Sequence, residues 1–109
     1  MIGVLAGVTN DSGEENVFIG RSAGQKNTTG GFGVFIGSAA GANNLGSSNN
    51  VFVGADAGVG TTTGGFNAFF GTSAGNHNTT GQSNTFIGEE SGRSNTTGSS
   101  NTAFAPVVP

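Results

Sequence analysis

The chain has 109 residues, of which 22 are glycine, none is cysteine and only 8% are charged, for a formal net charge of -3. This length predicts one domain. Three basic residues cannot form a phosphate-binding track, which excludes nucleic acid as a partner; no run of about 18 apolar residues exists to insert in a membrane as a helix; and without cysteine there is neither a disulfide nor a thiolate metal site.

The chain opens on MIGVLAGV and then settles into a period of 17 residues. The repeats are NVFIGRSAGQKNTTGGF from Asn16, GVFIGSAAGANNLGSSN from Gly33, NVFVGADAGVGTTTGGF from Asn50, NAFFGTSAGNHNTTGQS from Asn67 and NTFIGEESGRSNTTGSS from Asn84. A sixth begins at Asn101 and runs to Ala105, where the tail 106–109, PVVP, stops it. Proline cannot donate to a strand ladder, so this tail is expected to block an edge. Residues 1–15 obey the same frame as a partial repeat: Met1, Ile2 and Gly3 align with Phe18, Ile19 and Gly20, and Asn10 and Gly13 with Asn27 and Gly30. Residues 1–105 therefore read as a single repeat domain. The apolar start is in register, so it is read as structure and not as a cleaved signal peptide.

Numbering each period from its Asn16 equivalent turns the sequence into columns. Column 3 holds Phe18, Phe35, Phe52, Phe69 and Phe86, and column 4 holds Ile19, Ile36, Val53, Phe70 and Ile87. Column 5 is glycine at Gly20, Gly37, Gly54, Gly71 and Gly88; column 9 is glycine at Gly24, Gly41, Gly58, Gly75 and Gly92. Column 12 is asparagine at Asn27, Asn44, Asn78 and Asn95, with Thr61 as the exception.

Two glycines four residues apart and a recurring NTTG starve a helix of good formers. A short Val, Phe and Ile run bounded by glycine and asparagine is instead a strand signal. Seventeen residues are too few for a hairpin-based propeller blade of about 40. The prediction is an all-β fold, a β-solenoid of about six to seven coils. Each coil would carry a strand, a corner at AG, a second extended segment, and a corner near NTTG. Equivalent residues then stack at about 4.8 Å, ring on ring and amide on amide, with glycine where a corner needs positive φ or close approach.

One coil buries little apolar surface against the entropy of ordering it. Columns 3 and 4 are both apolar, yet neighbours on a strand point to opposite faces. One column fills the coil; the other forms an outward stripe, unless a bend turns both inward. An outward stripe marks an interaction surface. Self-association follows as an expectation, either as a homotrimer around a shared axis or as a head-to-tail filament.

NTFIGxxAGxxNTTGxxN resembles the tandem repeats of bacterial and phage tail-fibre-like proteins, over the full chain. More distantly, N-x-x-I-G-x-x-A resembles the head repeats of trimeric autotransporter adhesins, which have a shorter period. The first resemblance implies an elongated trimeric β-fibre, extracellular or on a virion, whose shaft spaces a binding tip; the second implies an adhesin-type surface-binding module. No tip, chaperone domain or anchor is visible in this sequence, so any receptor stays unknown and a shaft is what the resemblance leaves.

The remaining chemistry-bearing residues read as surface. His77 is the only histidine, in a column shared with Lys26, Asn43 and Gly60. The acids Asp11, Glu14, Glu15, Asp56, Glu89 and Glu90 are scattered among columns, whereas a calcium site wants several converging oxygens. No Ser–His–acid set recurs in phase, so neither catalysis nor a cofactor is expected. Asn10, Asn27, Asn78 and Asn95 each head a glycosylation acceptor, which corner chemistry explains equally well. The Gly20-x-x-x-Gly24 spacing of membrane helices sits in polar surroundings. Two threonine columns, Thr28, Thr62, Thr79, Thr96 and Thr29, Thr63, Thr80, Thr97, raise ice binding as an alternative, although Leu45-Gly46 and Asp11-Ser12 interrupt them.

Overall fold

A computed structural model describes residues 1–104; Ala105 and the tail 106–109, with the edge-blocking expectation attached to its prolines, lie outside the described residues. The chain forms a parallel β-solenoid. Its strands are β1 (Val17–Ile19), β2 (Val34–Ile36), β3 (Val51–Val53), β4 (Ala68–Phe70), β5 (Thr85–Ile87) and β6 (Thr102–Phe104). They make one sheet in sequence order, and each residue pairs with its counterpart in the next repeat: Phe18 with Phe35, Phe35 with Phe52, Phe52 with Phe69. An isolated parallel bridge from Ile2 to Ile19 continues the sheet before β1. The rod measures 38 × 21 × 16 Å.

Strands β1 to β5 are only three residues long because glycine ends each at once. Column 5 has φ between 119° and 137° from Gly88 to Gly54, a region that side chains rarely adopt. A Cβ on Gly54 would also stand 2.5 Å from the carbonyl oxygen of Gly71 on the next coil.

The second extended segment expected after this corner does not form, and the sequence reading is corrected here. Three overlapping turns replace it: in the central coil Ala57 N–H donates to Gly54 O at 3.2 Å, Val59 to Asp56 O at 3.1 Å and Thr61 to Gly58 O at 2.9 Å. The third residue of the first two turns, Asp56 (φ 58°) and Gly58 (φ 59°), lies in the left-handed region that type II turns require. The turns still bond from coil to coil, as Gly58 N–H does to Ala74 O at 2.9 Å and Gly60 N–H to Asn76 O at 3.0 Å.

The interior holds one ring, one methyl group and up to two amides per coil. Phe18, Phe35, Phe52, Phe69 and Phe86 are buried with Ala23, Ala40, Ala57 and Ala74. Successive rings stack with centroids 4.9 to 5.3 Å apart and planes within 10° to 25°. Column 9 is glycine because the ring of its own coil lies against it: a Cβ on Gly58 would be 2.8 Å from the Phe52 ring. Ser91 replaces alanine in the last full coil, and its hydroxyl donates to Ala103 O at 3.1 Å.

The amides form two ladders. In column 12, Asn27 Nδ2 donates to Asn10 Oδ1, Asn44 to Asn27 and Asn95 to Asn78, each at 2.8 Å. Each amide of that column also reaches the carbonyl three residues on, for example Asn27 to Gly30 at 3.0 Å. Thr61 interrupts this file and accepts only a long bond of 3.4 Å from Asn78. In column 1, Asn50 Nδ2 donates to Gly64 O, while Asn50 Oδ1 accepts the backbone N–H of Asn67, both at 2.9 Å. Buried amides left unpaired would cost about 1–3 kcal/mol each, so the ladders are a condition of having asparagine inside at all.

Two stability measurements check this packing. Phe52→Ala, which removes a ring with neighbours on both sides, should lower unfolding stability by about 3–5 kcal/mol, and by more than Phe18→Ala at the end of the stack. Thr61→Asn should raise stability by about 1 kcal/mol, by completing the ladder between Asn44 and Asn78. Both are read from urea unfolding transitions.

Candidate functional site

Strand alternation settles which apolar column is which. Column 3 points into the coil, so columns 2 and 4 both point out on the other face of the sheet. Phe69 and Phe86 are 0% and 2% exposed, whereas Phe70 and Ile87 next along their strands are 39% and 40% exposed. Ile19, Ile36 and Val53 are half-buried by their neighbours in the same column. The column continues to Ile2 at one end and Phe104 at the other, both exposed.

Column 2 runs beside it: Val17, Val34 and Val51, then Ala68, Thr85 and Thr102. Val17 is 42% exposed. The sequence reading named one outward stripe and missed this second file, although the same alternation that exposes column 4 exposes column 2. The result is an uncharged face, apolar two side chains wide from β1 to β4 and apolar along column 4 beyond, where Thr85 and Thr102 occupy column 2. No charged residue occupies either column.

The corner leading into the strand adds two aromatic rings that the sequence reading also missed. Column 17 is held in the left-handed region throughout: Glu15, Phe32, Asn49, Phe66, Ser83 and Ser100 have φ between 56° and 63°. For a bulky residue this backbone costs about 1–2 kcal/mol. Phe32 and Phe66 bear it while 55% and 64% exposed. Their backbones are tied down regardless, Phe32 N–H to Glu14 O at 3.0 Å and Phe66 N–H to Ser48 O at 3.2 Å. Periodicity could not reveal these rings, because phenylalanine recurs in that column only twice.

The other singled-out residues serve the coil. The glycines of columns 5 and 9 shape corners, and Asn27, Asn44 and Asn78 are buried in the ladder, with Asn95 part-exposed at its end. Asn16, Asn50, Asn67 and Asn84 carry the second ladder, which the sequence reading did not name as a site. Burial of Asn27 and Asn78 commits those two acceptor-motif amides to their neighbours.

Charge stays out of columns 2 and 4, and Glu15 and Arg21 stand at the borders of the face. Arg21, Lys26 and His77 are exposed on the turns, and Arg93 pairs with Glu90 at 2.9 Å on the surface. Among the described residues no group of three or more His, Asp or Glu is placed to hold a metal ion. Thr28, Thr62 and Thr79 donate their hydroxyls to carbonyls of the next coil at 3.0 to 3.3 Å, which leaves the interrupted file of Thr29, Thr63, Thr80 and Thr97 as the free hydroxyl array.

Comparison of the chain with family models, curated proteins and solved structures returns no match.

Proposed function

We propose that this chain is a structural, self-assembling rod, a β-solenoid shaft segment of a fibre, and that copies associate side by side through the outward face of the sheet. The observation that supports this reading is the uncharged face of columns 2 and 4, apolar without a break along column 4. An apolar surface without charge along the length of a rod is costly to leave in water, and contiguous patches of this kind mark protein interfaces. The likeness of the repeats to tail-fibre-like sequences agrees with an extracellular or virion setting, and the shaft role fits a molecule whose backbone repeats at every coil.

A threonine ice-binding face is the weaker reading, because Thr28, Thr62 and Thr79 of column 13 spend their hydroxyls on the backbone, and Leu45 and Gly46 interrupt columns 13 and 14. An adhesin-type role rests on the more distant repeat likeness alone.

Sedimentation of the pure protein over a range of concentrations tests the proposal. Association should grow with concentration, and electron micrographs should show elongated particles. The double variant Val34→Asp and Ile36→Asp leaves the Phe column intact and points its carboxylates outward. It should stay folded by circular dichroism yet sediment as a single chain. A wild-type protein that remains a single chain at every concentration would defeat the proposal.

A further inference from the structure

Phe32 and Phe66 carry a more specific statement about the same face, one that rests on the self-association proposed above. The fold asks of column 17 only a residue that tolerates left-handed backbone, and Asn49, Ser83 and Ser100 meet that request. Asparagine in particular visits this region readily. A large ring is the poor choice there for the isolated chain, and both rings are more than half exposed on the corner that borders the apolar face. Strain held in place for a ring that stays more than half exposed points to a contact outside the chain.

The placement of the rings says which contact. The sheet runs from the Ile2 bridge through β6, so its middle rung is β3. Asn49 leads into β3, Phe32 into β2 and Phe66 into β4. One ring thus stands on each side of the centre, each about 4.8 Å along the rod from Asn49.

We propose that the outward sheet face docks onto that of a second copy running antiparallel, about a two-fold axis along β3, so that Phe32 of each copy meets Phe66 of the other. Rotation about that axis reverses the rod but keeps the column 17 corner on the same side, so like corners face each other. Parallel packing, in a dimer or a trimer, sets this corner against the opposite edge of the neighbour's face, where Arg21, Ser38 and Thr72 stand and no aromatic does.

The face suits its own reversed copy. Val34 comes opposite Ala68 and Val17 opposite Thr85, so large residues of column 2 meet small ones, and no like charges are opposed. Contact over a whole side of the rod, 38 × 16 Å at its narrower, would cover about 600 Å² per copy and about 1,200 Å² for two, the lower bound of stable specific interfaces, so the pairing must engage the column 17 corner as well as the strands.

The chain has no cysteine, so Phe32→Cys and Phe66→Cys introduce the only thiols. Equal amounts of the two single variants, mixed and mildly oxidised, should give the crossed 32–66 disulfide well above both like-with-like products, read by peptide mass spectrometry. Phe32→Asn combined with Phe66→Asn should keep or raise the melting midpoint while weakening association at least about tenfold in sedimentation. A crossed disulfide no more abundant than chance mixing gives, in protein that still associates, overturns the antiparallel pairing and leaves lateral assembly standing. So does undiminished association of the double asparagine variant. Protein that is a single chain throughout overturns both.

Discussion

The stack of phenylalanine rings sets the terms for the rest of the molecule. Rings pile face to face with centroids about as far apart as the strands that carry them, so ring spacing and backbone pairing must agree at every coil. That agreement fixes the register, since shifting a strand by one residue would send the whole file of rings to the outside. It also explains the corners. Column 9 lies flat against a ring and tolerates no Cβ, and column 5 lies against the carbonyl of the next coil and tolerates none either.

A coil this narrow has an unusual division of surfaces. Its interior admits one ring and one methyl group, and the remaining space goes to asparagine amides that hydrogen-bond along the rod. Meanwhile each strand presents two of its three residues outward, and those are mostly valine, isoleucine or phenylalanine. Much of the apolar side-chain bulk is thus outside while amides are inside, the reverse of an ordinary globular domain. The amides are held by directional bonds and need nothing further. The outer face has no such remedy within the chain.

Much of this architecture was legible in the sequence, for a physical reason. Stacking in register forces the same residue into each column, so a period of identical letters is the direct imprint of columns 3, 5, 9 and 12. The imprint fades where a column asks for a backbone shape and not for a side chain. Columns 7 and 17 are left-handed throughout, yet they accept Ser22, Ala39 and Asp56 in one, and Phe32, Asn49 and Ser83 in the other. No turn signature survives such a mixture, which is why an extended segment was expected where overlapping turns occur. The first asparagine of NVFIG was visible as a letter but not as a ladder, because its bonds reach the carbonyl of position 15 in its own coil and the amide of the next one.

In-register parallel pairing also makes length a quantity that comes in whole steps. A duplication or loss of one complete period lengthens or shortens the rod by a single rung and leaves the cross-section, both ladders and the ring file unchanged. A loss of one residue fewer leaves a single coil with a residue that its neighbours do not match, and the fault stays at that rung because each coil pairs only with the next. A gene built on such a unit can tune reach in whole rungs by unequal recombination, with no change to what any one coil must pack.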